Sequence, residues 1–243
     1  MKQKINDALT HYAGRSGAPL SRPVKAVLFD MDGVLYDSMP GHARAWKQMC
    51  DENGIDSDPD EFFGYEGMTG AATIDLLFRR QFGRGASEED ARRLYARKSE
   101  LFKSWGAPEA MPGARAAVGA AVEAGADCVL VTGSGQGSLL ERLDSDYDGA
   151  FRLRVTAYDV RHGKPHPEPF LTGLAKAGAD AWRAVAVDNA PLGVRSASAA
   201  GIFTIGVRTG PIPEGALLEA GADIELESME ECTKALVELF RVC

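Results

Sequence analysis

The hydrophobic pattern of this 243-residue chain changes character twice. Val24, Ala26, Val27, Leu28 and Phe29 form a short apolar run that ends at Asp30 and a glycine turn, which predicts a buried parallel strand over 24–30. A long stretch then carries apolar residues at helical spacing and predicts helices over 42–52, 69–82 and 87–105. No strand interrupts them convincingly. The last of these has a strong start, because Ser87 is a natural N-cap and Glu88, Glu89 and Asp90 suit the positive end of a helix. Beyond 111 the pattern alternates: helix 114–124, strand 128–131, helix 138–143, strand 152–156, helix 168–177, strand 184–187, helix 192–200 and strand 202–207. Alternating units of this kind predict an α/β fold, a doubly wound parallel sheet with helices on both faces and a helical block inserted after the first strand.

Residues 1–21 are polar and run into G-R-S-G-A-P-L-S-R-P, which reads as a short helix and a flexible lead-in without assigned function. The A-G-A-D stretches at 124–127 and 220–223 read as helix C-cap signals, not as a repeat.

Composition narrows the function classes. A hydrophobic content of 45% suffices for a large core plus a smaller insert. Net charge is -8 and the arginines are scattered, so no nucleic-acid partner is expected. Cys50, Cys128, Cys232 and Cys243 show no C-x-x-C spacing, which argues against a zinc finger and a disulfide framework and points to a reducing cytoplasm. The amino terminus lacks a signal-peptide apolar segment, and no run approaches the roughly 20 apolar residues of a membrane span. A soluble, unprocessed, cytoplasmic monomer without membrane partners is expected.

The candidate chemistry begins in F-D-M-D-G-V-L-Y-D-S, where Asp30 and Asp32 stand two residues apart at a strand's carboxyl end, the edge at which doubly wound sheets bind ligands. Two carboxylates in an apolar setting repel unless a cation neutralises them, and with no histidine or cysteine pair nearby a hard Mg²⁺ fits. Asp30 could then attack phosphorus, with Asp32 protonating the leaving oxygen and later activating water. D-x-D-G alone also reads as a turn with solvated acids. Further on, Thr132-Gly133-Ser134-Gly135 follows an apolar strand and could hold a phosphate by a hydroxyl and backbone N–H groups. It matches neither nucleotide-loop motif. Lys164 lies between Gly163 and Pro165, and Asp188-Asn189 closes the strand at 184–187. Asp, Thr, Lys and Asp are thereby expected on four strand ends, the parts of metal-assisted phosphoryl transfer.

These residues together resemble the haloacid dehalogenase-like superfamily, in particular its β-phosphoglucomutase-like branch, from about Val24 to the end. The motifs are F-D-M-D-G, V-T-G-S at Thr132, G-K-P at Lys164 and V-D-N-A-P-L-G-V at Asp188. The resemblance implies a Rossmann-like core over 22–37 and 110–243, a helical cap over 38–109 and the segment 1–21 outside both. It also implies Asp30, Asp32, Thr132 and Lys164 as the catalytic set, Asp30, Asp32, Asp188 and Asn189 around Mg²⁺, and Gly33, Gly133 and Ser134 beside a small phosphorylated substrate. His42 and Lys98 carry over as cap-side residues assisting closure and charge balance. Two departures stand out: Y-E-G-M-T-G-A places Glu66 and Gly70 where sugar-phosphate mutases hold a second phosphate with basic residues, and Asn189 replaces an acid.

A phosphohydrolase acting through an aspartyl-phosphate is therefore expected ahead of a β-phosphoglucomutase. Pyrophosphate is a candidate substrate if a Glu66-bound Mg²⁺ receives the leaving phosphate. A receiver-type storage module, which keeps its aspartyl-phosphate, is argued against by Asp32 and by the cap. A hydrolytic dehalogenase is argued against by Asp32 and the metal-ligand set.

Overall fold

The computed structural model describes residues 1–19, 23–134 and 137–242. The domain boundary expected at 21/22, Gly135 and Cys243 lie outside them. Among the described residues, β1 (Ala26–Phe29), β2 (Asp127–Val131), β3 (Leu153–Val155), β4 (Ala184–Asp188), β5 (Phe203–Val207) and β6 (Ile224–Leu226) form one sheet in the order β3-β2-β1-β4-β5-β6. Every pairing is parallel. β1 is central, and all four of its residues are buried. Val27 and Phe29 join one apolar layer and Ala26 and Leu28 the other, which is why the run is continuously apolar instead of alternating.

Helices cover both faces: α1 (Lys2–Ser16), then α2 (Met39–Glu52), α3 (Glu61–Gly64), α4 (Gly70–Phe82) and α5 (Glu88–Ser104) of the insert, then α6 (Ala114–Glu123), α7 (Gly137–Asp146), α8 (Glu168–Ala177), α9 (Pro191–Ala199), α10 (Ala216–Glu219) and α11 (Met229–Val242). Helices α1, α6 and α11 pack in the layer of Phe29, whereas α8 and α9 pack in the layer of Leu28. The insert leaves and re-enters the core through paired linkers, with Asp37 N–H donating to Glu109 O at 3.0 Å and Met111 N–H to Leu35 O at 2.9 Å. Ser87 caps α5 as its sequence suggests, accepting from Asp90 N–H at 3.1 Å. Helix α2 starts three residues ahead of its expected position, at Met39, because Pro40 fits a first helical turn.

The sequence reading needs correction at three places. Its strands ended at 207, and the structure continues with α10, β6 and α11, the last contributing Leu236 and Leu239 to the core. The amino-terminal segment holds the expected short helix, but as part of the core and not as an extension outside it: α1 spans 15 residues and buries Ile5, Leu9 and Tyr12. Tyr12 OH donates to Gly201 O at 2.8 Å, and the Arg15 guanidinium forks onto Asp223 at 2.9 and 2.7 Å. Finally, Lys164 is not on a strand end. β3 stops at Val155, and the lysine arrives on the loop leading to α8, while Asp30, Thr132 and Asp188 do sit at ends of β1, β2 and β4.

Candidate active site

Asp30 leaves β1 with its backbone N–H bonded to Val187 O at 3.0 Å, so β4 holds it at the carboxyl edge of the sheet. Its carboxylate is buried, and Lys164 Nζ donates to Asp30 Oδ1 at 2.5 Å and to Asp188 Oδ2 at 2.7 Å. Burial pushes the Asp30 carboxyl up, and Asp188 and Asp32 add to that, while Lys164 opposes it; the net position is about 7. Burial would strip Lys164 of its proton, but the two carboxylates outweigh burial and keep it charged.

Asp32 faces the insert. Its Oδ1 accepts from Ser38 Oγ at 2.6 Å and from His42 Nε2 at 2.9 Å, and His42 Nδ1 lies 2.5 Å from Lys98 Nζ. A carboxylate only accepts, so Nε2 carries the imidazole hydrogen and Nδ1 accepts from the ammonium. Burial and the Lys98 charge hold His42 below its ordinary value, which favours that neutral ring. Burial also lowers Lys98, to about 7, so the pair carries one positive charge at most. Burial alone would raise Asp32, but the hydrogen bonds from His42 and Ser38 and the nearby Lys98 ammonium overcome it and hold the carboxyl below its ordinary value. The His42 ring stacks on Phe102 with centroids 4.0 Å apart, and the rings of Trp46, Phe102 and Tyr95 surround the Lys98 ammonium at 5.2 to 5.9 Å.

Glu66 comes down from the insert onto Asn189, whose Nδ2 donates to Glu66 Oε2 at 3.0 Å. Burial raises Glu66 well above the ordinary carboxylate range, and Asp30, Asp32 and Asp188 push the same way. Gly33 makes this approach possible. Its φ is +76°, and a Cβ there would lie 2.0 Å from Asn189 Nδ2. Thr209 Oγ1 fixes the same turn from the end of β5 by donating to Gly33 O at 2.6 Å.

Asp30, Asp32, His42, Glu66, Lys98, Thr132, Gly133 and Ser134 line one cavity of about 60 Å³, with Lys164, Asp188, Asn189 and Gly33 packed behind it. Every candidate site residue is thus brought to one place. Thr132 Oγ1 accepts from Ser134 N–H at 3.0 Å, closing a turn at the edge of the cavity. Gly133 lies so close to the insert that a Cβ would sit 2.7 Å from Gly67 O.

Two observations bear on a metal. Glu66 Oε1 and Asn189 Oδ1 are buried acceptors with no hydrogen-bond partner, and an oxygen-liganded divalent cation is what such a pair lacks. The surrounding donors, from Asp30, Asp188, Glu66 and Asn189, are all oxygens, which fits Mg²⁺. Asp32 Oδ1 is already committed to Ser38 and His42, and Lys164 Nζ bridges Asp30 and Asp188.

Ser38, Phe102, Tyr95 and Thr209 were not foreseen from sequence. Ser38 had one available signal, its place directly after Y-D in the nucleophile motif; the other three reach the site only through tertiary packing.

A strand-end aspartate, a second acid two residues on, a lysine between two carboxylates and a helical insert over the cavity mark an α/β fold of the hydrolase type. The chain belongs to the haloacid dehalogenase-like hydrolase family, whose model matches residues 24–201. Hexitol phosphatase A of Escherichia coli is 33% identical over 211 residues, covering 86% of this chain and 93% of that protein. The β-phosphoglucomutase of Bacillus subtilis is 25% identical over 216 residues, covering 86% and 95%. A solved Bacteroides vulgatus structure with a provisional β-phosphoglucomutase designation is 41% identical with a TM-score of 0.95, covering 100% of this chain and 99% of that one.

Proposed function

We propose that this chain is a Mg²⁺-dependent phosphohydrolase that works through an aspartyl-phosphate on a small phosphorylated metabolite, the names of its relatives favouring a phosphorylated sugar, with inorganic pyrophosphate as a second candidate. The observation that carries the reading is Asp30, tied to Lys164, facing a chamber that also contains Asp32 and, among the described residues, no arginine.

In the first step Asp30 attacks phosphorus, forming an acyl-phosphate as the bond to the leaving oxygen breaks. Lys164 stays beside Asp30 and neutralises charge on the transferring group, and the turn at Thr132 to Ser134 offers it hydroxyl and N–H contacts. Asp32, placed two residues on, handles the leaving group and then takes a proton from the water that opens the acyl-phosphate. A sugar ester needs a proton on its leaving oxygen, whereas a phosphate can leave as a stable anion. Mg²⁺, held by Asp30, Asp188, Asn189 and Asp32 with Glu66 beside them, would neutralise the phosphoryl oxygens when bound. Closure of the insert as a cap would exclude water from the first step.

The names of the phosphatase relatives support hydrolysis, and Gly70 argues against a second-phosphate clamp. Phosphate release should be measured with and without Mg²⁺ from pyrophosphate, small sugar phosphates and β-glucose 1-phosphate, with Asp30→Asn as the blank. Fast Mg²⁺-dependent release from one of these compounds is expected and names the substrate class. Release only from a sugar phosphate would remove pyrophosphate, and glucose 6-phosphate formed without free phosphate would make the protein a mutase.

A further inference from the structure

The loop that delivers Lys164 carries a second set of ligands on its outer side. His162, His166 and Glu168 each offer one ligand atom, and the three atoms lie within 4.8 Å of one another. Among the described residues no trio of the catalytic carboxylates comes that close. Glu168 is already oriented: its Oε1 accepts from Arg161 N–H at 2.8 Å and its Oε2 from His162 N–H at 3.1 Å and His162 Nδ1 at 2.8 Å. His166 Nδ1 accepts only a longer bond, 3.2 Å, from Glu168 N–H, and its ring lies 4.7 Å from that of His162. Both histidines are exposed, so an ion could enter from solvent without unfolding anything.

We propose that His162, His166 and Glu168 form a site for one transition-metal ion of the Zn²⁺ class, separate from the catalytic carboxylates, and that its occupancy slows turnover by restraining the Lys164 loop. Two imidazoles and one carboxylate make a borderline-soft donor set with an open position, which Zn²⁺ takes readily and Mg²⁺ does not. Backbone N–H groups orient the carboxylate, as the supporting shell of a metal site does. On binding, the ion replaces the hydrogen between His162 Nδ1 and Glu168 Oε2, and that proton leaves to solvent.

The coupling follows from position. The ligands stand two residues before, two after and four after Lys164, whose ammonium bridges Asp30 and Asp188. The same loop abuts the insert: a Cβ at Gly163 would meet Thr69 Cγ2 at 3.0 Å, and one at Gly67 would meet Lys164 Cδ at 3.0 Å. The three ligands flank Lys164 on the loop that abuts the insert, so an ion that holds them together restrains this loop against any movement that product release requires.

The test uses the full chain and the metal alone. Zn²⁺ is titrated calorimetrically in saturating Mg²⁺, and Co²⁺ is added in parallel to read visible absorption from an imidazole-bound ion. One equivalent is expected to bind the wild type, with a loss of at least about tenfold in affinity for the His162→Asn/His166→Asn variant and for Glu168→Gln. Mg²⁺-supported turnover of these variants without Zn²⁺ should match the wild type, and Zn²⁺ should inhibit only the wild type. Equal Zn²⁺ binding by the double variant, or none by the wild type, overturns the site. Binding without inhibition overturns the link to Lys164, and both outcomes are read independently of which phosphorylated compound is hydrolysed.

Discussion

Lys164 Nζ lies 2.5 Å from Asp30 Oδ1, so the nucleophile is neutralised by the loop before α8 and not by its own strand. The same ammonium serves Asp188, and all three groups are nearly inaccessible to water. Lys164→Met would leave two buried carboxylates without a cation. A loss of roughly 3–5 kcal/mol is expected in denaturant titrations in EDTA, partly recovered with Mg²⁺. Equal stability with and without Mg²⁺ would contradict a metal at these carboxylates.

Asp30→Asn keeps the size and the hydrogen-bonding capacity of the side chain but removes the nucleophile. Turnover should fall by about 10³-fold or more while circular dichroism and melting stay native. Retention of near-native turnover would sink the covalent mechanism.

Burial and three neighbouring carboxylates push Glu66 well above the ordinary carboxylate range, so its charge is costly without a cation beside it. Glu66→Gln removes that charge at nearly constant size. The variant should be at least as stable as the wild type in EDTA, yet release phosphate from pyrophosphate at least about tenfold more slowly, as measured by initial rates across a Mg²⁺ series. Unchanged rates would exclude Glu66 from metal or leaving-group binding.

Lys98 titrates near 7 in the folded protein because it is buried, against about 10.5 when exposed. Between those values the unfolded chain holds a proton the folded chain has lost, so this group makes stability rise with pH across that window. Its destabilising effect is fully present below pH 7. Lys98→Met should remove the effect, raising stability by roughly 2–4 kcal/mol at pH 6 but little at pH 10, while turnover falls as His42 loses its donor. Equal pH slopes of stability for the two proteins would refute the assignment.

A Cβ at Gly70 would lie 2.1 Å from the Tyr95 ring, which occupies the space a basic side chain would need. Gly70→Arg alone should therefore lower the melting temperature and create no glucose 1-phosphate to glucose 6-phosphate conversion in a coupled assay. Conversion by that single variant would show that absence of the clamp decides the chemistry.

Helix α1 makes its own contribution to the core. Tyr12→Ala should destabilise by about 3 kcal/mol in urea without a large change in the Michaelis constant, since Tyr12 packs edge-on against Phe203 and bonds Gly201.

Asp30, Asp32, Thr132, Lys164 and Asp188 were legible in the chain because each follows or precedes a run whose periodicity is local, and strand ends in a parallel sheet share one edge. The same holds for Ser87 as a cap and for the continuous apolar run of β1. Residue type and spacing along the chain determined the class of fold and placed Asp30 and Asp32 together at the end of β1. What the chain could not reveal depended on distances between segments far apart in sequence. Helix α1 looked polar because only one stripe of it is buried, and that stripe meets the start of β5, with Tyr12 bonded to Gly201 at a separation of 189 residues, and α11 beyond it. The Asp32, His42 and Lys98 chain joins β1, α2 and α5, the unpartnered oxygens of Glu66 and Asn189 arise only when the insert meets β4, and Tyr95 fills the space beside Gly70 only once α4 and α5 pack. Local propensity acts over a few residues, whereas burial and Coulomb interactions act through space, so tertiary structure alone decided the protonation of the site and the size of its chamber.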